Sequence, residues 1–393
     1  KFIWLSHGHP DHIDPDSFDL FQGKKILLAD HYNKRIFNEL SKKYDCTQLK
    51  SNTWFRISKN IRIKSFSDWN QDSSLLVEIL KKDIILNLND GQALGWSSEI
   101  KKIIKNYKNR FLLRLISWGD ADMINFYDHH NKFILPLAAE KKPCGQTYAY
   151  NLKKWGCNFA VPFSSMHRYV RDDSSKMNKF TTPLNLHYEK FNNKHGEMLP
   201  AFIRWNTLEH DYKKINPQEN LNETKSSDFY GDNWSDQLEP DDKINLKNYF
   251  SKFYHLKRKF GFINFIVGKK EYRIELSDRK EGIEFKTPRN SLIYSVNNKI
   301  FDDLLIGNFM KTRLINVPRL YPDFTPYVTK YGDNANIYTK EELKEYFDYY
   351  KLNSSNFWID FLKIKSEDFI RAKLGSYKSI YYLARSIKRS FPF

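Results

Sequence analysis

Short apolar runs alternate with amphipathic segments along the first 185 residues of the chain. The runs 2–5 and 25–29 have the length of buried strands, and segment 34–44 has apolar residues at helical spacing. A second helix is predicted at 99–106. Further strands are predicted at 61–64, 75–79, 84–88, 111–117 and 158–162. Strands that alternate with helices predict a layered α/β core.

The pattern changes after this first part. Residues 190–242 are polar, rich in turn-forming residues and low in aliphatics, which predicts a linker or a surface excursion. Residues 243–350 regain compact patterning and predict a smaller accessory α+β domain. Its predicted helices are 246–259, 300–305 and 340–350, and its predicted strands are 262–267, 272–276 and 282–286. Residues 351–393 form a basic, aromatic tail, predicted to be helical and to dock on its own domain, with peripheral membrane contact as the alternative.

The composition narrows the possible partners. Among 393 residues there are 64 Lys and Arg against 47 Asp and Glu, a formal net charge of +17, which favours anionic partners. There is no zinc-finger or helix-turn-helix spacing, so we do not expect sequence-specific binding of nucleic acid.

No apolar run approaches the ~18 residues of a transmembrane helix. Three scattered cysteines without a C-x-x-C pair indicate a reducing compartment, and we predict a cytoplasmic protein.

The most informative chemistry lies directly after the first predicted strand. The sequence SHGHPDHID places His7, His9, Asp11 and His12 within six residues. Imidazole nitrogens and carboxylate oxygens are natural ligands of zinc, manganese and iron. A histidine-rich surface loop is the alternative, but such an array at the end of a strand rarely arises by chance. The motif therefore predicts a metal site.

This array resembles the signature of the metallo-β-lactamase superfamily, and the resemblance extends over the first half of the chain. It implies a four-layer αββα sandwich in residues 1–189, followed by the smaller accessory domain. Residue 1 is Lys and lies within an apolar strand, so we expect the sandwich to be N-terminally truncated.

The same resemblance assigns the ligands. It implies that His7 and His9 hold one metal and that Asp11 and His12 hold a second. Asp90 ends the strand in ILNLNDGQ and matches the bridging carboxylate of the superfamily. An N-D-G turn is the alternative interpretation of this aspartate.

Two further ligand positions are predicted on the same basis. His167, in VPFSSMH, follows a predicted strand and matches the last histidine of the superfamily, with a chance histidine as the alternative. Where the superfamily usually has another histidine, SFSDWNQDS offers Ser67, Asp68 and Asp72, and Asp68 aligns best. A carboxylate there would favour manganese or iron over zinc. Alternatively, this position is degenerate and only one metal binds.

A closer resemblance covers residues 1–185. The segments WLSHGHPDHID, ILNLNDGQ and VPFSSMHRYVRDDSSKMNKFTTP are similar to the metallo-β-lactamase-like domain of the CMP-N-acetylneuraminate hydroxylase (monooxygenase) family and its bacterial relatives. The ascorbate-6-phosphate lactonase branch is a more distant relative. The hydroxylases carry a Rieske iron–sulfur domain upstream, whereas these 393 residues contain no Rieske pattern.

These observations predict a metal-dependent hydrolase that uses one or two divalent ions, zinc or manganese or iron. Water activated by the metal would attack an anionic ester, phosphodiester or lactone, and Asp11 would orient that water. Arg168, Tyr169 and Arg171 follow His167 and are candidates for binding the anionic group, or are ordinary solvated residues. The alternatives are a component of a hydroxylase-like oxygenase and a metal-binding scaffold without catalysis. The oligomeric state is left open.

Overall fold

The computed structural model describes residues 1–117, 124–164, 166–217 and 223–374. Its strands are β1 Phe2–Leu5, β2 Lys25–Ala29, β3 Cys46–Leu49, β4 Trp54–Arg56, β5 Ile61–Ser67, β6 Ser73–Ile79, β7 Asp83–Asn89, β8 Asn109–Leu115, β9 Phe126–Tyr127, β10 Phe159–Ser164, β11 Glu197–Met198, β12 Ile203–Asn206, β13 Asp211–Lys214, β14 Phe262–Val267, β15 Lys270–Glu275, β16 Gly282–Lys286 and β17 Lys311–Ile315. Its α-helices are α1 Arg35–Leu40, α2 Ser97–Ile104, α3 Gly145–Trp155, α4 Asp172–Ser175, α5 Leu184–Tyr188, α6 Pro240–Ser251, α7 Tyr254–Lys259, α8 Arg289–Asn298, α9 Asp302–Ile306, α10 Lys340–Leu352 and α11 Phe357–Leu374. A π-helical segment spans Pro326–Asn334.

Two sheets form the middle of the first half. The strands β1, β2 and β3 make a parallel sheet, and a larger sheet has the order β11-β10-β8-β7-β6-β5-β4. In the larger sheet β4 to β7 pair antiparallel, while β7, β8, β10 and β11 are parallel. The two sheets pack through a buried cluster that includes Leu27, Leu49, Ile63 and Leu75.

Helices cover the outer faces of both sheets. In β2, Leu27 faces the larger sheet, whereas its neighbours Ile26 and Leu28 pack on the other side with α1, as the two-residue period of a strand requires. On the larger sheet, Ile100 of α2 and Leu152 of α3 belong to the buried cluster beneath those helices. The layers are therefore helix, sheet, sheet and helix, which confirms the predicted αββα sandwich.

Residues 190–242, predicted as a linker or a surface excursion, include strands that pack against the sandwich. Strand β11 pairs with β10 at the edge of the larger sheet, and β12 and β13 form a hairpin. Trp205 of this hairpin packs against Phe111 and Phe159, with ring centroids 4.9 and 5.4 Å apart. Aromatic packing thus attaches a polar segment to the first half.

The second half is built on a five-stranded sheet of order β15-β14-β16-β17-β9. Phenylalanines dominate its core, and Phe250, Phe265, Phe285, Phe301 and Phe324 are all fully buried. The edge strand β9 comes from the first half of the chain and pairs in parallel with β17. The accessory sheet therefore draws on both halves.

The two halves also share an aromatic cluster beside the first sandwich. Trp69 and Leu94 of the first half pack with Tyr346, Tyr350 and Phe357 of the second. This contact places α10 and the start of α11 next to the loops that follow β5 and β7. Residues 375–393 of the predicted tail lie outside the described residues. No described helix combines the length and apolar character needed to cross a bilayer.

Candidate metal centre

The ends of three strands meet where the histidine motif begins. Ser6 directly follows β1, and its carbonyl oxygen accepts a hydrogen bond of 2.5 Å from the Ser73 hydroxyl at the start of β6. The side-chain amide of Asn89, the last residue of β7, donates to the Ser6 hydroxyl. These bonds join the two sheets at one edge, so the residues after β1 and the residue after β7 lie together.

A first group of potential ligands consists of His7, His9 and Asp90. The His7 Nε2 atom lies 2.7 Å from His9 Nδ1 and 3.8 Å from Asp90 Oδ2. The other ring nitrogen of His7, Nδ1, is 2.9 Å from the Ser6 hydroxyl. This contact fixes the ring and leaves Nε2 directed at its two neighbours, as in metal sites whose histidines are oriented by an outer partner.

A second group shares Asp90 with the first. The His12 Nε2 atom lies 3.1 Å from Asp90 Oδ2 and 3.3 Å from Asp11 Oδ2. In each group the potential ligand atoms lie within 4.8 Å of one another. Asp90 is thus shared by the two groups. Its role as a bridging ligand stays a prediction. Its other oxygen, Oδ1, is buried and has no hydrogen-bond partner among the described residues.

The electrostatics of these residues suit a cation. Burial is the main cause that lowers the pKa of His7 well below its ordinary value, and burial lowers the pKa of His9 to about 3. Both rings are therefore neutral at pH 7, the form that binds metals. Burial also raises the pKa of Asp90. A buried oxygen without a partner and neutral imidazoles together fit a divalent ion.

Without a bound cation, protonated His12 supplies the positive charge that balances the carboxylates of Asp11 and Asp90. Burial alone would lower its pKa, but hydrogen bonds with Asp11 and Asp90 outweigh burial and raise the pKa to about 10. In turn, the interaction with His12 overcomes the effect of burial on Asp11 and lowers the pKa of that carboxyl to about 2. A bound cation would replace this proton on His12.

Asp68 lies close to this centre, but its carboxylate oxygens are hydrogen-bonded to backbone N–H groups. Its side chain is buried, with the residue only 1% exposed, and its two oxygens accept hydrogen bonds from the N–H groups of Asn70 and Leu94, at 2.8 and 3.1 Å. Burial is the main cause that raises its pKa to about 8, and the charge of Asp72 adds to the effect. The Asp72 Oδ1 atom instead lies 3.9 Å from His7 Nε2. Within the described ranges, the ligand groups do not include Asp68.

The segment after β10 contains the other predicted site residues. His167 is half-buried with its ring 4.8 Å from that of Tyr169, and it is not part of either ligand group among the residues described. The Tyr169 hydroxyl accepts a hydrogen bond of 2.8 Å from the Asn308 side chain. Arg168 is exposed. The ligand role of His167 stays a prediction.

Arg171 is engaged with carboxylates of the protein itself. It makes two hydrogen bonds to Asp173, of 3.0 and 2.8 Å, and one of 2.8 Å to Asp232. Its guanidinium also lies over the ring of Phe309, 4.0 Å from the centroid. In this arrangement Arg171 connects the segment after β10 to the second half of the chain, and its Nε, Nη1 and Nη2 atoms each donate to a carboxylate of the protein.

Two solved structures share features with this chain. Among solved structures, the chain is similar to Zn(2+)-bound PqqB from Methylobacterium extorquens, at 14% identity and a TM-score of 0.23, over 31% of this chain and 48% of PqqB. It is also similar to the metallo-beta-lactamase fold protein YhfI from Bacillus subtilis, at 12% identity and a TM-score of 0.26, over 51% of this chain and 73% of YhfI. The chain thus spans about half the length of PqqB. No family model matches the chain, and a search of curated proteins gives no match. The assignment of the fold rests on the four layers described above.

The structure places two carboxylates, those of Asp72 and Asp302, next to histidines of the centre, and the sequence does not predict either as a site residue. Asp72 belongs to the loop that the sequence singles out, but alignment favours Asp68. Asp302, at the start of α9, lies beside His9 although no motif surrounds it. For Asp72 the available signal is its place just before β6, at the strand-end edge where the motif lies. Asp302 reaches the site only through the packing of the second half.

Proposed function

We propose that the chain is a metal-dependent hydrolase of the metallo-β-lactamase superfamily that acts on an anionic ester, phosphodiester or lactone. The position of Asp90 carries this proposal. One of its oxygens faces both the His7–His9 pair and the Asp11–His12 pair, while the other is buried without a partner among the residues described. A carboxylate placed in this way is suited to bridge two cations.

The residues divide into holding and orienting roles. His7, His9 and Asp90 would hold one ion, and Asp11, His12 and Asp90 the other. A divalent ion bound there supplies Lewis acidity and acidifies water. Asp11 is the most solvent-accessible acid of the centre, with 38% of its side chain exposed against 21% for Asp90, and it would orient the attacking water.

The mixture of ligands supports three candidate ions. Imidazole nitrogens and carboxylate oxygens together accommodate zinc, manganese or iron. We propose Asp72, beside His7, for the position that the alignment gives to Asp68, because the oxygens of Asp68 are already used by backbone N–H groups. An additional carboxylate would shift the preference towards manganese or iron.

Positive charge near the centre supports an anionic substrate. Lys330, in the π-helical segment Pro326–Asn334, is close enough for its charge to contribute to the lowered pKa values of His7 and His9, after the larger effect of burial. Arg168, which the sequence predicts to bind the anionic group, is exposed and follows β10. Such charges attract an anionic substrate and complement charge that develops on the oxygens of its reacting group.

Elemental analysis of the chain purified without chelator tests the proposal. We expect about one or two equivalents of zinc, manganese or iron, because the centre offers two ligand groups. The double variant His7→Ala/His9→Ala should lose the metal and at least about 100-fold of the turnover on phosphodiester, ester and lactone substrates. His195→Ala, at an exposed histidine far along the chain, is the matched control and should retain both. Wild-type protein without metal, or a double variant that retains it, would contradict the assigned centre.

A non-catalytic metal scaffold is the second candidate. It is favoured by Asp68 and Arg171, whose side chains are occupied by contacts within the protein. Stoichiometric metal without turnover on all three substrate classes would support the scaffold, whereas turnover that disappears in the double variant would support the hydrolase.

A further inference from the structure

Asp302 faces the side of His9 that is turned away from His7. The Asp302 Oδ2 atom lies 3.5 Å from His9 Nε2, while the opposite ring nitrogen, His9 Nδ1, lies 2.7 Å from His7 Nε2. The imidazole of His9 therefore stands between the candidate metal centre and a carboxylate from the second half of the chain.

Because the Asp302 carboxyl group is buried, it needs a hydrogen-bond donor nearby. The residue is only 6% exposed, and its Oδ2 atom has no hydrogen-bond partner in the described part of the chain. An unpaired carboxylate oxygen is costly to bury, so such atoms are normally paired in folded proteins. The group that faces this oxygen is the Nε2 atom of His9, which donates when it carries the ring proton.

The backbone around Asp302 is held firmly in place. The preceding residue, Phe301, is fully buried in the core of the second half, and its N–H donates to Asp333 Oδ2 at 2.9 Å. The Tyr249 hydroxyl donates to the other oxygen of Asp333 at 2.7 Å. These bonds and the packing of Phe301 fix the position from which the Asp302 side chain approaches His9.

Arg35 of the first half is hydrogen-bonded to the segments beside α9, and these bonds are called the Arg35 clasp below. Arg35, at the start of α1, donates 2.8 Å hydrogen bonds to the carbonyl oxygens of Lys299 and Asp333, and a 2.7 Å bond to that of Asn298. This clasp holds the two halves together beside α9. The distance between His9 and Asp302 is thus set by the interface between the halves rather than by either half alone.

We propose that Asp302 is a positioning residue for His9, and that the metal centre is completed by this carboxylate from the second half. Asp302 accepts the hydrogen bond of His9 Nε2–H, which keeps the ring proton on Nε2 and leaves Nδ1 with a free lone pair directed towards the metal. Metal-ligating histidines commonly donate their second N–H to a carboxylate, and loss of such a partner typically weakens metal binding about 10- to 100-fold. The proposal rests on the proposed metal-binding function and adds a residue to it.

The test measures zinc affinity of the 393-residue chain by competition with a fluorescent chelator. Asp302→Ala should weaken zinc binding about 10- to 100-fold, and Asp302→Asn, which retains a neutral acceptor of similar shape, should weaken it less. Asp241→Ala is the matched control, because it removes an exposed carboxylate from the first turn of α6, as Asp302→Ala removes a carboxylate from the first turn of α9, and zinc affinity should change less than about threefold. Thermal melts of the metal-free variants confirm that each one folds, and Asp302→Asn serves if the alanine variant does not.

A second readout separates positioning from a merely structural role. Nitrogen NMR of histidine-labelled, zinc-loaded protein reports which ring nitrogen carries the proton, and His9 should be protonated at Nε2 in the wild type. In Asp302→Asn the exchange of that Nε2 proton with water should quicken, because a side-chain amide is a weaker acceptor for this hydrogen bond than the carboxyl group. Unchanged affinity together with unchanged proton exchange would overturn the role of Asp302 while leaving the metal centre intact. Failure of the wild type to bind zinc would overturn both proposals.

Discussion

Zinc binding should displace one proton from His12. The pKa of this ring is raised to about 10 in the metal-free protein by its hydrogen bonds with Asp11 and Asp90, which outweigh burial. At pH 7 only about one ring in a thousand is then neutral. His7 and His9 are neutral at that pH because burial lowers their pKa values, so they release nothing. Binding at the Asp11–His12–Asp90 group is therefore expected to release about one proton per zinc.

The same protonation sets a pH dependence for affinity. The proton on His12 opposes zinc binding by about 4 kcal/mol at pH 7, since three factors of ten separate pH 7 from the pKa. Apparent zinc affinity should rise about tenfold per pH unit between pH 7 and 9 and level off near pH 10. The pKa is raised in the folded state, so the stabilisation of the metal-free protein by charged His12 is complete below pH ~6.5 and is lost as pH rises through about 10.

Calorimetry measures the proton directly. Zinc is titrated into metal-free protein at pH 7 in buffers of different ionisation enthalpy, and the slope of the binding heat against that enthalpy gives the number of protons released. His12→Gln, which has no titratable ring, should release close to none. A wild-type slope of zero, or an affinity that is constant from pH 7 to 9, would refute the assignment of charge to His12.

Two further predictions concern the interface between the halves and the choice between two aspartates. Arg35→Ala should lower the free energy of unfolding by about 2 kcal/mol, because it removes partly buried hydrogen bonds from a charged donor to carbonyl oxygens of the second half. Arg279→Ala, at an exposed ion pair, should change it by less than about 0.5 kcal/mol. Denaturant unfolding followed by fluorescence measures the free energy of unfolding of both variants. Equal losses would contradict the role of Arg35 in joining the two halves. Asp72→Asn should weaken zinc binding about tenfold or more, while Asp68→Asn should change it less than about threefold. The reverse order in a chelator competition would return the ligand role to Asp68.

Elements with a strong local pattern were predictable from the sequence. The strands near residues 25–29 and 84–88 and the helix near 99–106 are present, because continuous apolar runs and helical spacing are set by burial on a sheet or beneath a helix. The predicted helix 246–259 is instead two helices, α6 and α7, since the backbone at Phe253 is extended. Helix α3 is not predicted, although Tyr148, Leu152 and Trp155 follow a helical spacing and all are buried.

The candidate site was predictable only where it is local. The motif residues His7, His9, Asp11 and His12 are neighbours in sequence. They follow the end of β1, which lies beside Asp90. The proposed preference for Asp72 over Asp68 depends on which side chain is hydrogen-bonded to the backbone of its own loop, and residue type does not encode that. Asp302 reaches His9 through the packing of a Phe-rich core and the Arg35 clasp, neither of which is marked near the histidine motif.

The interface between the halves also has a consequence for the timing of assembly in the cell. The histidine motif is made before Asp302 and before Asp360, whose carboxylate accepts a 2.9 Å hydrogen bond from the N–H of Gly95. Roughly 350 residues separate His9 from Asp360, so at ~5–20 residues per second the motif waits roughly 20 to 70 s for its supports. During that interval the histidines can meet metal ions without the second half around them. Synthesis of Asp302 would therefore complete the proposed centre, so that an ion held loosely until then would be bound more firmly.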